Sequence, residues 1–402
     1  MSKLNLGVIF GSRSCEHEVS IISALQLMKQ ADPDKYNVIP VYIAQDGAWY
    51  VGDKLKDIAS YVPRFDPLLP GLTRVQPDVT AHSGALISVK RRGLLQGDEQ
   101  TIAARLDVII PVMHGLHGED GSLQGLLELM DIPYASSGVA GSAIAMDKIL
   151  MKQCFRSFGF PVLRDVAVTR SAWRRDAVEM IKAIERALPY PVFVKPANLG
   201  SSIGVSRATD FQSLQSALEL AFSYDRRVLV EEGITKPIEV NCAVLGYDDD
   251  VVASVVEMPV TGEDYLDFRE KYTRSGGSKG MASLARVVPA PIGEALTRRI
   301  QQLSVEVFRA LDCKGVVRVD YMLHGEDDTL TITEINAIPG SLAFYLWDKS
   351  EPRLSYRQLI DRLVQAAQRA HEDKLDNDFA YRSDILKSAA LGSAKGAKGA
   401  KA

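Results

Sequence analysis

The chain has 402 residues, of which 46% are hydrophobic and 24% charged, and its formal net charge is −4. That length fills two or three domains with ordinary apolar cores, and the charge shows no basic excess of the kind that attracts nucleic acid or a membrane surface. No apolar run reaches transmembrane length, and the N-terminus has too short an apolar core for a signal peptide, so a cytoplasmic location is expected.

Residues 4–10 form a short apolar stretch that predicts a first strand. Gly11-Ser12-Arg13-Ser14 follows, then a helix over about 16–29 with Val19, Ile22, Leu25 and Met28 at core spacing. Residues 38–43 predict the next strand, which makes the opening a β-loop-α-β unit of an open parallel sheet. Ligands in such sheets sit at the carboxyl ends of strands, where the loop 11–18 falls. The loop lacks G-x-G-x-x-G, which excludes a dinucleotide fingerprint and hydride transfer.

Residues 44–105 carry no assignable chemistry. Asp46-Gly47 predicts a turn before Trp49, and residues 85–89 and 93–95 predict a small hairpin. A buried-type strand over 106–112 then delivers His114-Gly115-Leu116-His117-Gly118-Glu119-Asp120-Gly121. A lone histidine at that place is often only packed, but two glycines and an acidic pair crowd around this one. A helix runs on to Met130.

Helix 148–158 stops at Gly159, and Pro161 opens a plausible second domain. Residues 191–196 predict a strand ending in Lys195. The loop Asn198-Leu199-Gly200-Ser201-Ser202-Ile203-Gly204 follows, and its glycines and hydroxyls suit a phosphate without matching a P-loop. Residues 228–232 form an apolar strand ending in Glu231 and Glu232. Strands over 238–245 and 251–259 pair across a turn, and the polar loop 261–280, with Tyr265, Lys271 and Tyr272, suits either a mobile surface segment or a lid. The four cysteines, Cys15, Cys154, Cys242 and Cys313, lack ligand spacing and read as free thiols in a reducing compartment.

The most informative stretch is Gly315 to Trp347. Its two β-rich halves predict a hairpin in which Arg318, Asp320, Glu334 and Asn336 share one face, because strand side chains alternate. Two carboxylates and an amide oxygen suit Mg²⁺, and a guanidinium suits a phosphate or an oxyanion. The bland alternative is an amphipathic hairpin with a solvated charged face. Pro339-Gly340 tips the balance, since it exposes backbone N–H groups beside the metal face. Residues 355–372 predict a helix, and 388–402, with repeated Ala-Lys-Gly, read as a low-complexity tail without function.

Taken in order, the strings at 11–20, 114–125, 195–205 and 315–340 resemble the D-alanine–D-alanine ligases of the ATP-grasp superfamily. The resemblance implies an α/β and α+β protein: an N-terminal open parallel-sheet domain (1–143), then a two-lobed ATP-grasp fold (144–233 and 234–372) and a tail (373–402). It implies that Lys148 and Lys195 contact the α- and β-phosphates of ATP, and that Ser201 and Ser202 cover the γ-phosphate. Glu231 or Glu232 would be the acid beside the adenine. The segment between Glu231 and Glu239 is a residue short of the family pattern, which leaves the ribose acid open. Asp320, Glu334 and Asn336 match ligands of two Mg²⁺ (or Mn²⁺) ions, with Glu334 bridging.

For the substrates, Glu16 matches the acid that receives the first D-alanine's ammonium group, and Ser201 and Tyr272 join it to the flap and lid. Lys271 belongs to the nucleotide contacts, and the pair Lys271-Tyr272 resembles the D-alanine type of lid. The resemblance implies that His114, Arg318 and Gly340 would face the substrates, the last two as oxyanion donors, and that Ser341 or Tyr345 would hold the acceptor carboxylate. The residues after Gly340 depart from the family pattern, so D-lactate or D-serine remains an alternative acceptor. An ATP-binding sensor of the same fold is the alternative from another class. An ATP-grasp carboxylase component is a remote third, since it gives the His114 string and Glu16 no purpose. A homodimer follows from the resemblance only, and neither nucleic acid nor membrane is an expected partner.

Overall fold

The computed structural model describes residues 3–90, 98–260, 286–325 and 328–378. The predicted features at 93–95, the lid residues Tyr265, Lys271 and Tyr272, and the tail 388–402 lie outside them.

The chain opens with β1 (Leu4–Gly11), α1 (His17–Gln30) and β2 (Tyr36–Ile43), followed by β3 (Trp49–Val51), β4 (Thr73–Pro77), β5 (Ala85–Lys90), β6 (Glu99–Arg105), β7 (Val108–Val112) and α2 (Ser122–Met130). These strands make one sheet in the order β6-β5-β4-β3-β2-β1-β7. β1 runs parallel to both β2 and β7, as a helical crossover requires. The rest is antiparallel, so the expected parallel sheet is mixed. The tight turn at Asp46-Gly47, closed by the Gly47 N–H on the Ala44 carbonyl, can return the chain only antiparallel. β5 pairs with β6, a strand mostly exposed along its length and therefore without the alternation that marks a strand in sequence.

Next come α3 (Val139–Met146), α4 (Lys148–Ser157), β8 (Asp165–Thr169), α5 (Arg170–Arg175), α6 (Ala177–Ala187), β9 (Val192–Pro196), β10 (Ser206–Ala208), α7 (Phe211–Tyr224) and β11 (Arg227–Glu232). They form an antiparallel sheet ordered β10-β9-β11-β8. Leu214, Ala217, Leu218 and Ala221 recur at helical spacing on α7 and bury against Val192, Val194, Val228 and Val230. The opposite face of this sheet is left for Lys195 and Glu231.

The last sheet, ordered β14-β13-β12-β15-β16, uses β12 (Ile238–Tyr247), β13 (Asp250–Pro259), β14 (Arg286–Val287), α8 (Glu294–Ala310), β15 (Gly315–His324) and β16 (Thr329–Asn336). Val240, Cys242, Val317, Val319 and Tyr321 pack under Ile300, Leu303, Val307 and Phe308 of α8. Alternation then turns Glu239, Asn241, Arg318 and Asp320 to the other side.

The closing elements α9 (Phe344–Trp347) and α10 (Tyr356–Leu375) return to the first sheet. Leu346, Trp347, Leu359, Ile360 and Leu363 share one core with Leu6, Val8, Phe10 and Ile21. The loop after β16 is thereby held against α1. Among the described residues no helix is long and apolar enough to cross a membrane.

Candidate active site

The three sheets meet around a cleft enclosing about 1420 Å³, its open mouth included, and the predicted hairpin forms one wall. On β15 and β16, Arg318 stands opposite Asn336 and Asp320 opposite Glu334, so all four share the cleft face as expected. Arg318 clasps Asp320 with two bonds of 2.6 Å, and the Asn336 amide donates to the same carboxylate at 3.0 Å. A bulge follows Asp320, and the Thr333 hydroxyl bonds the Asp320 carbonyl at 2.9 Å. Such a bulge re-aims side chains beside a site.

Two lysines line the facing wall. Lys148 begins α4, where its Nζ donates to the Leu199 carbonyl at 2.6 Å and lies 3.9 Å from Glu334 Oε2. Lys195, near the end of β9, pairs with Glu231. Glu231 is 2% exposed and also pairs with the buried Lys152, while Glu232 bonds Arg164 at 2.8 Å. Neither acid is part of the cleft lining, although Glu231 stands directly behind the lining residue Lys195. Glu231 is spent on two lysines, because a buried carboxylate needs paired charge. Burial and the nearby Lys195 push the Lys152 amine down to about 7.

At the inner end of the cleft, Glu16 sits just before α1 and accepts a hydrogen bond from the Ser201 hydroxyl. Its carboxylate is pressed between two backbones: a Cβ on Gly115 or Gly200 would lie 2.5 or 2.7 Å from Glu16 Oε2. Gly115 also has φ +73°, which disfavours any side chain. Ser201 and Ser202 hold φ of 50° and 60°, a sparsely populated region that persists where surroundings enforce it.

His114 is 4% exposed and does not offer a free ring edge. Its Nδ1 lies 3.0 Å from the Ile338 carbonyl and its Nε2 3.1 Å from the Ser23 hydroxyl. A carbonyl only accepts, so Nδ1 carries the proton and Ser23 donates to Nε2. Burial pushes this imidazole down to about 4 and keeps it neutral. Ser23 Oγ in turn accepts the Ser341 N–H at 3.1 Å. The network pins the Gly340 loop to α1, and Gly340 itself lines the cleft.

The Ser341 and Tyr345 hydroxyls, expected to hold an acceptor carboxylate, each bond a side chain of the fold. The Ser341 hydroxyl donates to Gln26 at 2.7 Å, and the Tyr345 hydroxyl donates to Glu257 at 2.9 Å beneath the Arg286 guanidinium. Neither lines the cleft.

Sequence reasoning missed several groups that do line it. Glu119 accepts N–H groups from Gly115 and Ile338, each at 2.8 Å, and so bridges the loops after β7 and β16. Burial, with the Glu16 charge, pushes its carboxyl up to about 8. Glu239 and Asn241 enter from β12, where the alternation I-E-V-N-C was the available signal. Glu257, held by Asn241, Tyr345 and Arg286, enters from β13.

Acids and an amide oxygen thus face two lysines, with a carboxylate–hydroxyl pair at the inner end. The model for the D-ala D-ala ligase N-terminus matches residues 5–137, and that for the C-terminus matches residues 154–365. The chain belongs to the D-alanine–D-alanine ligase family. The D-alanine–D-alanine ligase of Thermosipho africanus is 37% identical over 383 residues, covering 95% of this chain and 98% of the relative. That of Acetivibrio thermocellus is 39% identical, covering 92% and 96%. Among solved structures, the D-alanine-D-alanine ligase from Coxiella burnetii superposes with TM-score 0.74 at 27% identity, covering 93% of this chain and 97% of that one. The VanG D-Ala:D-Ser ligase from Enterococcus faecalis superposes with TM-score 0.75 at 30% identity, covering 91% and 100%.

Proposed function

We propose that the chain joins two D-alanines into D-alanyl-D-alanine at the expense of ATP, for the supply of a peptidoglycan precursor. The observation that carries this reading is the facing of Asp320, Glu334 and Asn336 by Lys148 and Lys195 across one cleft. Cations on one side and oxygen ligands on the other suit a polyphosphate with its divalent ions.

The donor set fits the metal. Two carboxylates and an amide oxygen on neighbouring strand positions are hard ligands of the kind Mg²⁺ or Mn²⁺ takes. Asp320, Glu334 and Asn336 would hold two such ions, a number that is part of this proposal. Bound there, the ions would neutralise charge on the phosphates as the phosphoryl group is transferred.

The chain's own residues would then act as follows. Lys148 and Lys195 hold phosphate oxygens, and the Ser201-Ser202 loop covers the terminal phosphate. Glu16, fixed by Ser201, receives the ammonium of the donor. The donor carboxylate attacks the terminal phosphorus, releasing ADP and leaving an acyl phosphate. The acceptor amine attacks the acyl carbon, and inorganic phosphate leaves. Arg318 and the Gly340 N–H take the charge of the tetrahedral oxyanion, where losing one donor typically costs about 10²–10³ in rate. Lys271 and Tyr272 belong to the lid in this reading. A homodimer, a cytoplasmic location and domain limits at 143, 233 and 372 belong to it as well.

The test is ADP release and product mass from purified protein with ATP, Mg²⁺ and D-alanine, against arms with L-alanine, D-lactate or D-serine added. D-Alanyl-D-alanine from D-alanine alone supports the proposal. No ADP release in any arm overturns it. A mixed product with D-serine would favour the second reading, which the likeness to the D-Ala:D-Ser ligase structure motivates.

A further inference from the structure

Away from the cleft, three distant segments bring metal-ligating atoms together. His82 stands in the turn before β5 with φ 62°, and its N–H donates to the Met130 carbonyl at the end of α2 at 3.0 Å. Asp131 caps that helix with φ 48°. His371 comes from the last turns of α10. Backbone contacts therefore set His82 beside Asp131, and the core under α10 brings His371 to them.

His82 Nδ1 is 3.2 Å from Asp131 Oδ2, and His371 Nε2 is 3.3 Å from Asp131 Oδ1 and 3.2 Å from the Asp131 carbonyl, a bond that the ion would replace. One ligand atom from each residue can be chosen so that all lie within 4.8 Å of one another. The rings stand nearly perpendicular, at 87°, with centroids 6.4 Å apart. Each histidine nitrogen meets a different carboxylate oxygen, so a tetrahedral ion, whose ligand atoms stand roughly 3.3 Å apart at bonds of about 2.0–2.1 Å, would draw the three residues closer from their present spread of within 4.8 Å. Two imidazoles and a carboxylate with one position open to water are the donor set that Zn²⁺ takes.

We propose that His82, Asp131 and His371 bind a Zn²⁺-class dication that clamps α10 to the first sheet. The His82 side chain is 62% exposed and provides the way in, while those of Asp131 and His371 are each 15% exposed. Lys374 also faces the site, 2.9 Å from Asp131 Oδ1 and 2.8 Å from Glu128 Oε2. It orients the Asp131 carboxylate, and the Glu128 charge offsets its own. The rival account is a metal-free ion pair between protonated histidines and Asp131.

The experiment uses untagged full-length protein, stripped with chelator and kept in excess Mg²⁺ so that the cleft carboxylates are occupied. Co²⁺ is then titrated in, and four-coordinate binding is read from its visible absorption. The expected result is one equivalent bound tightly, with His82→Ala and His371→Ala each weakening it at least about tenfold. Zn²⁺ should raise the Tm of the native protein and leave that of His82→Ala unchanged. His82→Ala alters an exposed turn, so its fold survives if His371→Ala disrupts the helix. Glu334→Gln should keep the cobalt signal, which separates this site from the cleft. A cobalt signal that is absent, or unchanged in both histidine variants, overturns the proposal.

Discussion

The Ser201 hydroxyl donates to the Glu16 carboxylate, joining residues 185 positions apart in the chain. The first lies on the loop after β9 and the second at the start of α1. The contact therefore closes the inner end of the cleft from two separate sheets, and it sets the geometry on which the first two predictions rest.

Ser201→Ala removes a hydrogen bond to a charged group, worth about 1.5–3 kcal/mol. The kcat/KM for donor D-alanine should fall roughly tenfold to a hundredfold, while Tm changes little because the loop is at the surface of the cleft. Steady-state ADP release against D-alanine concentration measures it. An unchanged KM would separate Glu16 from donor binding.

Gly200→Ala asks whether the carboxylate position itself matters. The added Cβ would lie 2.7 Å from Glu16 Oε2, and the backbone there is outside the left-handed region, so the fold tolerates it. Donor KM should rise at least about tenfold with Tm nearly native. Gly115→Ala combines a 2.5 Å approach with φ +73° and should lose stability as well, by about 1 kcal/mol or more.

Glu334→Gln keeps size and removes a charge from the face shared with Asp320 and Asn336. Turnover should disappear, as it should in the native enzyme on adding EDTA, with far-UV circular dichroism and Tm unchanged. Activity near the native level in this variant would refute the assignment of divalent ions to the hairpin.

His114 predicts a pH dependence of stability. Its folded pKa of about 4 lies below the ordinary 6.5. Between those values the unfolded chain binds a proton that the folded chain refuses, so stability rises with pH across the window. It is present above about 6.5 and lost as pH falls toward 4, at up to about 1.4 kcal/mol per pH unit. Denaturant midpoints measured from pH 4 to 7 should fall more steeply for the native protein than for His114→Asn. Parallel curves would show that this imidazole is not the group responsible.

The hairpin was legible because its chemistry is local. Arg318, Asp320, Glu334 and Asn336 lie on two strands joined by a short turn, and period-two alternation alone puts them on one face. The same logic, applied to I-E-V-N-C on β12, would have found Glu239 and Asn241. The mixed character of the first sheet was less visible, because β6 is exposed and carries no pattern of burial.

The amino-acid order by itself determined which segments carry oxygen ligands, which carry lysines, and where the glycines that admit Glu16 must fall. Only the tertiary structure decided which of those groups face one another. Packing set Glu231 between Lys152 and Lys195, and the Ser341 hydroxyl met Gln26 of α1. Side-chain direction along a strand follows from backbone geometry within a few residues. The partner a buried charge or hydroxyl chooses depends on surfaces brought in from hundreds of residues away, and nothing in the local pattern specifies it.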